Sequence, residues 1–122
     1  MLIIDGEKFK IDVLSCKRTA DFLDKHAKRT ENGDLMRELI GVYFNYKLTV
    51  APGIDRAEYS RFWDKITEPE EFHAVTVPGT DGDYTFAAYF SNIGDELLLQ
   101  RGKANYWKGL TINFVAKTPA RF

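Results

Sequence analysis

Residues 36–50, MRELIGVYFNYKLTV, alternate along their whole length. Met36, Glu38, Ile40, Val42, Phe44, Tyr46, Leu48 and Val50 share one parity, and Arg37, Leu39, Gly41, Tyr43, Asn45, Lys47 and Thr49 share the other. A strand turns successive side chains to opposite faces, so a period of two sustained this long specifies a half-buried β-strand. At about 3.3 Å per residue the run would reach roughly 50 Å if straight, so a bend or bulge is expected, with Gly41 its natural place. Ile40, Val42, Phe44, Tyr46 and Leu48 are expected to face the core, and Tyr43, Asn45 and Lys47 to face solvent or a neighbouring subunit.

The rest of the chain supplies partners for that strand. Leu2-Ile3-Ile4 and the later Phe9, Ile11 and Val13 flank Asp5-Gly6, a dipeptide that gives a tight hairpin its two positive φ angles. Over 17–30 the spacing is mixed, and helix, strand and loop all stay open. With no capping box to open a helix there, the favoured reading carries the second strand to about Phe22 and follows it with a charged, solvated loop. Glu31-Asn32-Gly33-Asp34 then signals a turn. Beyond Ala51-Pro52-Gly53, Asp55 can cap a helix whose Glu58 reaches back, and Tyr59, Phe62, Trp63 and Ile66 fall at i, i+3, i+4 and i+7. That helix should run from Arg56 to Ile66, stop before Glu68-Pro69, and place Trp63 in the core.

A second hairpin is expected from residues 72–77 and 84–90 around the turn 78–83, with Phe72, Ala74 and Thr76 facing the other way from His73, Val75 and Val77, and with Tyr84, Phe86, Ala88 and Phe90 sharing one face of the return strand. Residues 91–95 read as a turn, 96–100 as a short strand, and 101–109 as a loop holding Tyr106 and Trp107. A last strand alternates Leu110, Ile112, Phe114 and Ala116 with Thr111, Asn113, Val115 and Lys117. With 122 residues, no repeat and no break in composition, the expected architecture is one domain, residues 1–122: mainly β, an antiparallel sandwich or partly open barrel of about seven or eight strands with one α-helix.

Chemistry is sparse. Seventeen basic and eighteen acidic residues leave a net charge of −1, so no field exists to hold a polyanion, and nucleic acid is not an expected partner. No apolar stretch approaches a membrane span, and the N-terminal run is too short and too soon interrupted by Asp5 for a signal peptide, so no membrane partner is expected. Cys16 is the lone cysteine and is expected to be a buried small hydrophobe. His26 and His73 lack the spacing of a metal site or triad, and Asp81-Gly82-Asp83 lacks the further ligands of a calcium loop. Neither a nucleophile elbow nor a glycine-rich phosphate loop is present, so no cofactor, metal or enzymatic activity is expected. The aromatic pair Tyr106-Trp107 beside Lys103 and Lys108 could stack on a sugar or a peptide, or meet another subunit.

Several runs, taken in order, resemble a known family. They are RTENGDL at 29–35, RELIGVYFNY at 37–46, the helix with Trp63, FHAVTVP at 72–78, and YWKGLTINF at 106–114 before Lys117-Thr118-Pro119. Together they are similar to small proteins encoded in prophages and tailed phages of Gram-positive bacteria, taken as minor tail or other virion structural components. The resemblance implies a protein that works by self-assembly or by docking to other phage tail or virion proteins. It further implies a homo-oligomer, made in the host bacterial cytoplasm and then carried in the virion, and it brings no catalytic residues. The alternative is a small binding module using the Tyr106-Trp107 loop for carbohydrate or peptide. Candidate interface residues are Tyr43, Asn45, Lys47, Tyr106 and Trp107.

Overall fold

Asp5 and Gly6 adopt φ values of 53° and 80°, the left-handed pair of a two-residue hairpin. They join β1 (Leu2–Ile4) to β2 (Glu7–Phe9), with Leu2 opposite Phe9. The computed structural model describes residues 2–29, 31, 33 and 35–121, with side-chain environments left out for 25–29 and 35–38. Ile11 is buried as the chain leaves β2, and β3 (Val13–Arg29) then pairs antiparallel with β4 (Leu35–Val50) over nearly its full length.

This corrects the reading of residues 17–30: those up to Arg29 form strand where a loop was expected after Phe22, and Thr30 lies outside the described residues. Their hydrogen bonds come from the long partner strand, and Phe22 and Leu23, which turn to opposite faces, are both exposed, so the apolar alternation that marks a half-buried strand is missing there. The expected second strand is likewise two strands, broken between Phe9 and Val13. Of the turn at 31–34, Asn32 and Asp34 lie outside the described residues, and Gly33 has φ 81°.

The expected irregularity near Gly41 is a bulge. Leu23 pairs with Gly41 and Asp24 with Leu39, leaving Ile40 as the extra residue. Ile40 is consequently 45% exposed, against the expectation that it packs the core, whereas Tyr46, Leu48 and Val50 are buried. Gly41 itself is needed for space. A Cβ there would stand 2.6 Å from the Pro119 side chain, because the C-terminal segment crosses at this point. The Val42 N–H donates to the Arg121 carbonyl at 2.9 Å and the Ala120 N–H to the Val42 carbonyl at 2.8 Å. Gly41→Ala should therefore displace this segment and cost about 1–3 kcal/mol, read as a lower denaturation midpoint. The same loss in a variant truncated after Lys117 would remove this explanation.

The helix α1 spans Arg56–Ile66 as expected, and the Asp55 carboxylate accepts from the Glu58 N–H at 3.4 Å. Glu58 turns instead to Arg61, which also pairs with Glu7, donates to the Lys8 carbonyl at 2.7 Å and lies 4.2 Å above the Phe9 ring. One guanidinium thus fastens the first hairpin to the helix. Phe62 and Ile66 are buried, with Phe62 meeting Phe9 edge-on at 5.3 Å.

After α1 the chain forms β5 (His73–Pro78), β6 (Asp83–Arg101) and β7 (Ala104–Ala116), giving one seven-stranded antiparallel sheet in the order β2-β1-β5-β6-β7-β4-β3. The sheet curls without closing. Arg18 on β3 donates to the Thr80 hydroxyl on the β5–β6 turn at 3.0 Å, although β4, β7 and β6 intervene in sheet order. Across the same concavity Tyr46 meets Phe86 at 5.4 Å. The core fills this hollow with Leu2, Ile4, Phe9, Leu48, Val75, Ile112 and Phe114 among others, closed by the apolar face of α1.

Residues 91–109 depart from expectation. In place of a turn, a short strand and a loop, β6 runs on to Arg101 and turns back tightly at Gly102 (φ 62°) into β7. Asn92 (φ 53°) and register shifts between Ser91 and Leu99 absorb the turn-like residues as bulges within the strand. Tyr106 and Trp107 therefore stand on β7, opposite Leu99 and Leu97, on a two-stranded arm.

Asp5 and His73 form a part-buried polar contact at the hairpin end, with the imidazole buried and the carboxylate exposed at the surface. The His73 Nδ1–H donates to the Asp5 carboxylate at 2.7 Å, the Ala74 N–H donates to it at 2.8 Å, and Lys65 lies 3.3 Å away. His73 stacks on Phe90, and its Nε2 is buried without a hydrogen-bond partner among the described residues. Partial burial works to raise the Asp5 pKa, but the His73, Ala74 and Lys65 contacts outweigh it and hold the carboxyl below its ordinary value. A depressed folded pKa adds stability above the unfolded value of 3.8 and loses it as pH falls through the folded value. Acid unfolding of the wild type should be steeper below about pH 4 than that of Asp5→Asn, measured by denaturant titration from pH 7 to pH 2. Identical pH profiles for the two proteins would contradict this assignment.

Candidate functional site

The surface offers two arms and a groove. One arm is the outer part of β3 and β4, which β7 does not reach, since β4 pairs with β7 only from Tyr46 to Thr49. The other is the outer part of β6 and β7, from Glu96 opposite Lys108 to Arg101 opposite Ala104. Both carry large apolar side chains in solvent. Phe22, Leu23, Leu39 and Ile40 are exposed on the first, and Leu97, Leu98, Leu99, Tyr106 and Trp107 on the second. Apolar side chains clustered like this along a two-stranded ribbon are more than single scattered surface hydrophobes.

Between α1 and the β6–β7 arm lies an open groove of about 870 Å³. Its helix side presents Tyr59 and Trp63, and its arm side Leu98, Leu99, Tyr106 and Trp107. Trp63 is half-buried and touches the core, so the expectation that it is core holds for only part of the side chain. The Tyr59 hydroxyl donates to the Asp95 carboxylate at 2.7 Å, which ties the helix to the foot of the arm. Burial, reinforced by the Asp95 hydrogen bond and charge, pushes the Tyr59 pKa well above its usual range, so it remains a donor. Arg56, Arg101 and Lys103 border the groove, with the Arg56 guanidinium 5.8 Å from the Tyr106 ring centre.

The expected residues on β4 sit elsewhere. Lys47 is level with Asn113 on β7, which places it roughly 20 Å along that strand from Trp107 at about 3.3 Å per residue. Lys47 is exposed, while Tyr43 and Asn45 are half-buried. The Asn45 amide is committed internally, its oxygen accepting from the Ala116 N–H at 2.9 Å and its nitrogen donating to Asp21. Asn45 thus ties β4 to β7 and β3, leaving Tyr43 and Lys47 as what this face presents. Cys16 is exposed, contrary to its expected burial, because β3 is the last strand of the sheet and overhangs the core.

Leu97, Leu98 and Leu99 were not among the expected site residues. Their signal is present in the chain, since three consecutive leucines on a strand cannot all turn to one buried face. Among the described residues no group of histidine, cysteine, aspartate and glutamate could hold a metal ion, and no helix is long and apolar enough to cross a membrane. Comparison with protein-family models and with curated proteins finds no match for the chain.

Proposed function

We propose that this chain is a tail-associated structural protein of a phage or prophage particle, acting by self-assembly or by docking to other virion components. The observation that carries the reading is the pair of β-arms, which hold Phe22, Leu39, Leu98 and Trp107 in solvent at 57%, 42%, 55% and 45% exposure. A fold that has a core available spends backbone pairing on such ribbons when a neighbour covers them. The near-neutral charge and the ordered runs around GVYFNY and YWKGL support the same reading. On this reading the protein has no catalytic role, is made in the host cytoplasm and ends in the virion. Light scattering behind size exclusion, with negative-stain imaging, tests it: multimers, or capture by neighbouring tail proteins, are expected.

A second reading is favoured by one observation, the convergence of Trp63, Tyr106 and Trp107 with Arg56, Arg101 and Lys103 on one groove. Aromatic faces beside cations suit a sugar or a peptide. Trp107→Ala should then abolish binding on a glycan or peptide array while leaving the fold intact. An unchanged profile would dismiss the binding module.

A further inference from the structure

The outer edge of β3 is open. It is the terminal strand of the sheet, and among the described residues its ladder runs to β4 alone. Such an edge is a template for another strand. Resting on the assembly reading, we propose that this edge pairs antiparallel with the same edge of a second copy, about a two-fold axis at Thr19.

The choice of a second copy and of that register follows from charge. Over residues 15–23 the pairing of β3 with β4 is regular, with shifts only outside it. A two-fold axis between antiparallel strands must pass through a residue pair i and i, because an axis between residues would make hydrogen-bonded and non-hydrogen-bonded pairs equivalent. Axes at Lys17, Arg18 or Asp21 set like charges directly opposite each other. An axis at Ala20 sets Lys17 against Leu23 and Arg18 against Phe22, and one at Phe22 sets Asp21 against Leu23. The axis at Thr19 alone sets Lys17 against Asp21 of the other copy, and does so twice.

Within one copy Asp21 already accepts from the Asn45 amide and, at 3.3 Å, from the Thr19 hydroxyl, whereas Lys17 is set against another cation. Lys17 lies directly opposite Lys47 on β4, a like-charge pair on the face that also carries Thr19, Asp21 and Tyr43. The second copy's Asp21 would complete the row beside Lys17, and its Lys17 would do the same beside Asp21 of the first. On the opposite face Cys16 and Ala20 pair with Leu48 and Phe44 but remain exposed at the rim of the core. In this register Cys16 faces the second copy's Phe22, so the apolar rim is covered as well. Lys17 also guards the edge, since a foreign strand without an acid at that point would bury its ammonium beside Lys47 unpaired.

Engineered disulfides test the register in the full chain. In a Cys16→Ser background, Thr19→Cys stands opposite itself and should give a covalent dimer in nearly full yield under mild oxidation, at least tenfold faster than Ala20→Cys. Charge exchange is the second arm: Lys17→Asp and Asp21→Lys should each weaken dimerisation at least tenfold by sedimentation, and the double variant should restore it. Fast cross-linking of the Ala20→Cys variant with slow cross-linking of the Thr19→Cys variant, or a double charge variant no better than the singles, would overturn the two-fold at Thr19. If the protein still forms multimers in that case, the assembly reading stands and only this contact falls. A wild type that stays monomeric and captures no tail protein removes both.

Discussion

Phe62→Ala is expected to cost about 3–5 kcal/mol, the range for removing a buried aromatic ring from a core that closes incompletely around the gap. The ring is fully buried, meets Phe9 edge-on at 5.3 Å, and is the deepest attachment of α1 to the sheet. Against a total of about 5–15 kcal/mol for an ordinary domain, that loss leaves the protein at the margin of folding. It should lower the melting temperature by roughly 10–25 °C. Phe62→Leu keeps most of the volume and should cost less than about 1.5 kcal/mol. Urea titration followed by circular dichroism separates the two variants. A loss below about 1 kcal/mol for the alanine variant would show that α1 does not seat in the hollow of the sheet.

The second large effect concerns association, with stability left nearly unchanged. Leu98→Asp puts a carboxylate at the most exposed apolar position of the β6–β7 arm. Because Leu98 contributes nothing to the core, the monomer should lose no more than about 0.5–1 kcal/mol. On the proposed assembly reading a neighbour covers this arm, and a charge forced into that apolar contact has no partner there, so association should weaken by two orders of magnitude or more. Concentration-dependent light scattering and urea titration of the same sample read both quantities. An arm that tolerates the aspartate with assembly intact would place the contact elsewhere on the molecule.

The elements that the sequence made legible are those with one wet face and one dry one. β4 alternates from Phe44 to Val50 because its inner residues meet the core, and α1 shows its stripe because Phe62 and Ile66 do. The β1–β2 hairpin was legible from Asp5-Gly6 alone, since few other dipeptides supply two positive φ angles. At Phe22 and Leu23 the pattern of β3 is lost, because both side chains are exposed although they turn to opposite faces, and a ribbon wet on both faces imposes no period. The β6–β7 arm was hidden for a second reason: Asn92, Gly94, Gly102 and Gly109 look like loop punctuation, but three of them sit within strands, and only Gly102 turns the chain. Ile40 was misplaced by a bulge that shifts the register by one, and a single such shift moves a side chain to the other face.

The same physics explains what was visible of the candidate site. Tyr106 and Trp107 stood out as aromatics in an otherwise polar run, yet their place on a strand beside α1, and the groove they share with Trp63, depend on pairing between residues far apart in the chain. Asn45 shows the reverse: on the chain it reads as a polar surface residue, and folding uses its amide to join three strands.

Whether the two arms exist to be covered is decided by the mass of the native protein over a wide concentration range, measured by light scattering behind size exclusion and imaged by negative stain. Multimers are predicted, appearing as rings or tubes either alone or once neighbouring tail proteins are added, and dissolving when Leu98→Asp is introduced. A strictly monomeric species at the highest concentration, with no affinity for those proteins, would contradict the assembly reading.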